Sequence, residues 1–196
     1  MNRRKMIYLF IGAGILLFLA WNMRFSDGIE TRPYNVVKKY NSFEVRAYLP
    51  ATYASVVKEG KMMETGNSGF RDLAGYIFGG NDRKEKIAMT APVTFRPSGD
   101  STEMLFMMPS GFTPENLPAP DNARIRMWTD PAVHLAVLRF SGFASNRDIE
   151  KKATDLRVLM EKEGLKPEGD AIFMAYNPPF QVLNRRNEVA YMVKWD

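Results

Sequence analysis

The 196-residue chain is 45% hydrophobic and 25% charged, an ordinary globular balance that excludes a disordered or collagen-like polymer. It has no cysteine and one histidine, His134, which excludes disulfides, thiolate nucleophiles, iron–sulfur clusters and multi-histidine metal sites. Much of the net charge of +5 belongs to Arg3, Arg4, Lys5 and Arg24 in an acid-free N-terminus. The rest of the chain is nearly neutral, so nothing here marks a nucleic-acid partner.

The chain divides into an N-terminal segment (1–24), a polar connector (25–33) and a globular domain (34–196). Met6 to Trp21 is a run of sixteen uncharged residues behind the basic cluster. As a helix it rises about 24 Å against a hydrocarbon core of about 30 Å, and Asn22, Met23 and local thinning close the gap. Tyr8 and Trp21 stand near its ends, where amphipathic aromatics prefer to sit. A cleaved signal peptide competes with this reading, but Phe18-Leu19-Ala20 lacks a small residue two before Ala20. We therefore expect an uncleaved transmembrane signal anchor. The basic end stays in the cytoplasm and the domain is extracytoplasmic, periplasmic in a Gram-negative bacterium.

In the domain, residues 34–39 and 43–48 read as strands of a hairpin, and 51–58 as a third strand closed by Gly60. A helix follows, with Phe70, Leu73 and Ile77 on one face and Asn67 or Ser68 as cap; Gly79-Gly80-Asn81 stops it. Residues 87–95 alternate as a strand with Pro92 at an edge or bulge, and 102–108 pairs with it across Pro97-Ser98-Gly99-Asp100. Residues 108–121 carry four prolines and form a long ordered loop. Strands at 123–129 and 133–140 precede a second helix over 146–163, with stripe Ile149, Ala153, Leu156 and Met160 and a capping box at Ser145 and Asp148. The last strands are 171–176 and 188–194.

The order strand, helix, strand, strand occurs twice, in 51–108 and 131–194, and Ile87-x-Met89 echoes Ile172-x-Met174. This predicts an α+β fold: a twisted, mostly antiparallel, barrel-like sheet with a pseudo-two-fold repeat, flanked by two helices. A concavity between helices and strands suits a small apolar ligand.

No catalytic motif is present. His134 shares a strand face with Ala136, Leu138 and Phe140, so a packed or edge histidine is favoured over an iron ligand or base. Glu44 and Glu188 are placed to pair with Arg46 or Arg186. The Arg185-Arg186-Asn187-Glu188 knot either clamps a carboxylate or holds its loop to the sheet. The methionines in strands fit core filling.

Several motifs together resemble the SOUL haem-binding protein family. They are Phe43-Glu44-Val45-Arg46-Ala47-Tyr48, Gly69-Phe70-x-x-Leu73-x-x-Tyr76-Ile77-x-Gly79-x-Asn81 and Lys86-Ile87-x-Met89-Thr90-x-Pro92-Val93. Phe140-x-Gly142-Phe143, Tyr176-Asn177-Pro178-Pro179 and Asn184-Arg185-Arg186-Asn187-Glu188-Val189 complete the set, from Tyr34 to Trp195. The resemblance implies a non-catalytic protein that binds haem or another tetrapyrrole in an apolar groove between the first helix and the loop after Tyr176. Carried over by position, Asn67, Phe70, Arg71 and Ala74 line it from the helix, and Phe180, Gln181 and Arg185 from the loop. Two departures stand out. Where some members carry a histidine proposed as iron ligand, this chain has Ala47; where others place basic residues, it has Gly75 and Gln181. An Ala47→His change is then expected to strengthen ferric-haem binding. Other expectations for the same concavity are a non-haem ligand with or without hydrolysis, or a purely structural module.

Overall fold

The computed structural model describes residues 28–178 and 181–195. The expected membrane anchor lies outside these residues; among those described, no helix is long and apolar enough to cross a membrane.

In chain order the elements are β1 (Tyr34–Lys39), β2 (Glu44–Tyr48), β3 (Ala51–Glu59), α1 (Met62–Ile77), β4 (Val93–Ser98) and β5 (Ser101–Met107). After them come β6 (Arg126–Asp130), β7 (Val133–Phe140), α2 (Asn146–Lys162), β8 (Glu168–Ala175) and β9 (Asn187–Met192). The strands form one curled, antiparallel half-barrel sheet in the order β1-β2-β7-β9-β8-β4-β5-β3-β6. The predicted repeat is visible in that order. β3-β5-β4 is one block and β7-β9-β8 the other, and they meet at the β4–β8 seam with Thr94 opposite Met174. α1 packs on β3 and β5, and α2 on β9 and β7.

Central strands bury both faces. On β7, Ala136 and Leu138 point to the helices, while Leu135 and Val137 point away. The helix side holds the main core, with Leu73, Tyr76 and Ile77 from α1 and Leu156 and Met160 from α2. Burying each large aliphatic side chain contributes about 1.5–3 kcal/mol. The second helix has its expected stripe, start and cap: the Ser145 hydroxyl accepts from the Asp148 amide (3.2 Å), and the Asp148 carboxylate accepts from the Ser145 amide (3.0 Å).

The first helix starts earlier than the sequence suggested. It begins at Met62, behind Lys61, which gives no side-chain cap. Asn67 and Ser68 lie inside it, and the Ser68 hydroxyl turns back to the Thr65 carbonyl (3.1 Å). Packing decides this: Thr65 and Gly69 are buried, and a Cβ on Gly69 would stand 3.1 Å from Met104 Cε. The predicted stop holds. Gly79 has φ +107°, and a Cβ on Gly80 would lie 2.7 Å from the Gly75 carbonyl oxygen.

β4 is shorter than expected at its start. Residues 87–92 are not part of a strand, and only Ala91 forms a bridge, to Thr31. Pro92 has no amide hydrogen to continue a ladder, so pairing begins at Val93.

Candidate functional site

The middle of the sheet face away from the helices is filled by its own side chains, while a cavity of about 300 Å³ opens beside Tyr34, Arg46 and Arg186. Arginines alternate there with aromatic rings: the Arg46 guanidinium lies 4.5 Å from the Tyr34 ring centre, Arg186 3.8 Å from Tyr176, and Arg96 5.4 Å from Trp128. Asp130 accepts from both Arg32 and Arg96 at 2.7 Å. The void left among Arg32, Tyr48, Tyr53 and Tyr176 is about 20 Å³, the size of a water site rather than of a ligand.

At the centre of this layer Glu188 is fully buried. Its carboxylate accepts from Arg46 (3.0 Å), from the Tyr176 hydroxyl (2.8 Å), and from Arg186 Nε and Nη2 (3.0 and 2.8 Å). Arg46 also pairs with Glu44 at 3.0 Å. The pairings expected of these four charged residues are therefore present. Burial alone would pull Arg46 down, but the Glu188 charge holds it above the ordinary arginine value. Burial, then the Glu188 charge, pushes the Tyr176 hydroxyl far above the ordinary tyrosine value. Tyr176, and Tyr48, whose hydroxyl accepts from Arg46 at 3.2 Å, are members of this network that sequence reasoning missed; the place of Tyr176 one strand-end before the loop was the available signal.

The network fixes the root of the loop between β8 and β9. Within that loop the Arg186 amide donates to Asn177 Oδ1 (2.6 Å), and Arg185 Nη1 donates to the carbonyls of Pro178 (2.9 Å) and Gln181 (2.7 Å). The Arg185 guanidinium also stacks 4.6 Å from the Phe143 ring centre, and burial lowers its pKa. Arg185 thus holds its loop in the described structure. Two buried polar atoms of this loop, Gln181 Oε1 and Arg185 Nε, have no hydrogen-bond partner among the described residues.

On the helix side, Phe70 of α1 is half-buried with its ring edge-on to Phe106, 5.3 Å between centres. Phe106 pairs across the sheet with Val93, and Val93 with Ala175, the last residue before the Tyr176 loop. All four side chains belong to the helix-side apolar cluster, and Phe70, Val93 and Ala175 are only partly covered. Two strand spacings, about 10 Å, therefore separate the wall of α1 from the root of the loop, with an apolar floor between them. Val93, Ala175 and Phe106 were not singled out from the sequence; only the strand pairing brings them here.

Of the expected residues, Asn67 and Arg71 are exposed on α1, Ala74 is buried, and Gly75 is exposed with open space around its Cα. Gln181 is buried in the loop, its amide donating to the Leu183 carbonyl (3.1 Å). Phe180 lies outside the described residues. No hydrogen bond joins the helix group to Gln181 or Arg185 among the described residues; the floor connects them.

The groups present could hold a planar ring bearing carboxylates. Arg71 is available for carboxylates and the floor for a ring. No imidazole lies on α1 or on the described part of the loop. Ala47 pairs directly with His134 across β2 and β7, six residues from the Phe140–Asn187 rung where the loop returns. That is about 20 Å along the strand. Position 47 thus lies well along the sheet from the loop that the resemblance assigns to the groove.

Comparison with known proteins agrees with the fold. The family model described as SOUL heme-binding protein matches residues 29–192. Heme-binding protein 2 of Mus musculus is 30% identical over 167 residues, covering 80% of each chain. Heme-binding protein 1 of the same species is 29% identical over 179 residues, 85% of this chain and 93% of that one. Among solved structures, the EcmrR C-terminal domain aligns with a TM-score of 0.60 at 9% identity, over 83% of this chain and 99% of that one. A hydrolase from Listeria innocua aligns at 0.57 and 12% identity, over 81% and 94%. At such identities these two establish the fold alone. With the match extending over nearly the whole globular part, the chain belongs to the SOUL heme-binding protein family.

Proposed function

We propose that this protein binds haem or a related porphyrin, without catalysis, in the groove between α1 and the β8–β9 loop, and that its N-terminal segment tethers it to a membrane. The observation that carries the binding reading is the partly covered strip Phe70–Val93–Ala175 inside a family whose relatives are named heme-binding proteins. A flat macrocycle would cover that strip and rest against Ala74. Arg71, exposed on α1, would meet its carboxylates, with Arg185 at the loop adding positive charge beside them. Burial at about 25 cal/mol per Å², less the association cost, gives micromolar affinity without an iron bond. The tether rests on the uncharged run from Met6 to Trp21 behind three basic residues, Arg3, Arg4 and Lys5.

The test is a titration of the full chain in nonionic detergent with haemin and with iron-free protoporphyrin. The two should bind within about threefold of each other, because no imidazole lies on α1 or on the described part of the loop to hold the iron. Binding of neither rejects the reading. A strong preference for haemin relocates the site to an iron ligand elsewhere.

A further inference from the structure

A different cavity, of about 640 Å³, opens between the N-terminal ends of α1 and α2, over the β4–β5 hairpin. It is the size of a small-molecule site. Its walls include Met62, Ile149, Ala153 and the ring of Tyr191, the last three buried. Its charged residues are four acids, Glu64, Asp100, Glu150 and Asp170, against two bases, Lys61 and Arg157.

Both bases are engaged. Lys61 bridges the helix ends to Glu150 at 3.3 Å. Arg157 lies 5.1 Å from the Tyr191 ring centre, with its guanidinium 3.5 Å from the Tyr191 hydroxyl. Glu64, Asp100 and Asp170 form no ion pair within 4 Å among the described residues, although Arg157, its pKa raised first by the contact with the Tyr191 hydroxyl, is also raised by the nearby Asp170 charge. The irregular stretch of β8 brings Asp170 to this place: pairing with β9 shifts register between Glu168 and Ile172, with Gly169 at φ +66°. The positive start of each helix opposes the excess of acid by about half a charge apiece, and the first-turn acids Glu64 and Asp148 already meet those of α1 and α2, which leaves Asp100 and Asp170 as the excess.

We propose that this cleft is a second binding site, for an amphipathic organic cation: a compact apolar body carrying a permanent positive charge. The apolar walls take the body and the unpaired acids the charge. The same acids repel the carboxylates of a porphyrin, so this site is separate from the groove of the haem reading and does not depend on it.

The probe is ethidium, with anionic 8-anilinonaphthalene-1-sulfonate as comparator. Both are added to the full chain in nonionic detergent at about 20 mM salt, with protein-free micelles as blank. Ethidium should bind more than tenfold tighter than the sulfonate, and salt of about 500 mM should weaken it severalfold. Asp100→Asn combined with Asp170→Asn should weaken ethidium about tenfold. Thr154→Trp, at an exposed position on the rim, should block it, and both variants should keep the parent thermal midpoint and haemin affinity. No ethidium binding, equal binding of the two dyes, indifference to the paired acid substitutions, or displacement of ethidium by haemin would each overturn the proposal.

Discussion

Arg46 and Glu188 meet at 3.0 Å inside the sheet, with side chains 5% and 0% exposed, although they lie 142 positions apart in sequence. The pair ties β2 to the far end of the loop, and Tyr176 and Arg186 complete the carboxylate's partners. Removing the charge on Glu188 strands the Arg186 guanidinium and leaves Arg46 with Glu44 alone. Breaking a buried pair in this way costs about 3–5 kcal/mol. Glu188→Gln should therefore lower unfolding free energy by that order in urea titration. A loss under 1 kcal/mol would mean that water already screens the network.

Tyr48 adds a pH dependence to the same network. Burial pushes its hydroxyl up to about 12, with Arg46 pulling partly the other way. The folded value lies above the ordinary 10 of the unfolded chain, so the folded state holds a proton that the unfolded state releases. Its stabilisation is complete below pH 10 and is lost as pH rises through about 12, roughly 2–3 kcal/mol in all. Stability should fall across that window in Tyr48-containing protein and fall less in Tyr48→Phe, read as denaturant midpoints at pH 9, about 10.5 and about 11.5.

The repeat, the second helix and its cap were legible because they rest on local pattern: Ile149, Ala153, Leu156 and Met160 fall on one stripe, and Ser145 with Asp148 is a complete local motif. The start of α1 was not, because burial of Thr65 and Gly69 against β5 overrode the capping residues Asn67 and Ser68. The site divides the same way. Phe70 and Arg71 could be placed on a helix by spacing, whereas Val93 and Ala175 enter the floor through a pairing of strands about 80 residues apart in sequence. The distance of Ala47 from the loop is likewise set by the β2–β7 register, which no local pattern reports.

That register makes a direct prediction. Ala47 faces His134 across adjacent strands, both half-buried. Ala47→His should leave the Soret position and intensity of the haemin complex unchanged and create a cross-strand imidazole pair, Cβ atoms about 5 Å apart. The variant should instead bind divalent nickel or zinc where the parent does not, followed by calorimetry. A shifted Soret band would place the macrocycle near β2.

Gly75 and Gly80 lie five residues apart and should respond oppositely to substitution. Around Gly75, exposed within α1, nothing stands within 4 Å of a would-be Cβ, so a side chain there gains about 0.5–1 kcal/mol from helix propensity alone. Arginine at this position adds a guanidinium to the wall that carries Arg71, one residue-turn along the helix. Gly75→Arg should raise both the thermal midpoint and, severalfold, the affinity for haemin and protoporphyrin alike. Gly80→Ala forces a methyl to 2.7 Å from the Gly75 carbonyl oxygen, backbone against backbone, and should cost about 1–3 kcal/mol. Stabilisation by Gly75→Arg without tighter porphyrin binding would separate the helix argument from the groove argument, because propensity acts on folding alone while the added charge acts only on a ligand lying beside α1.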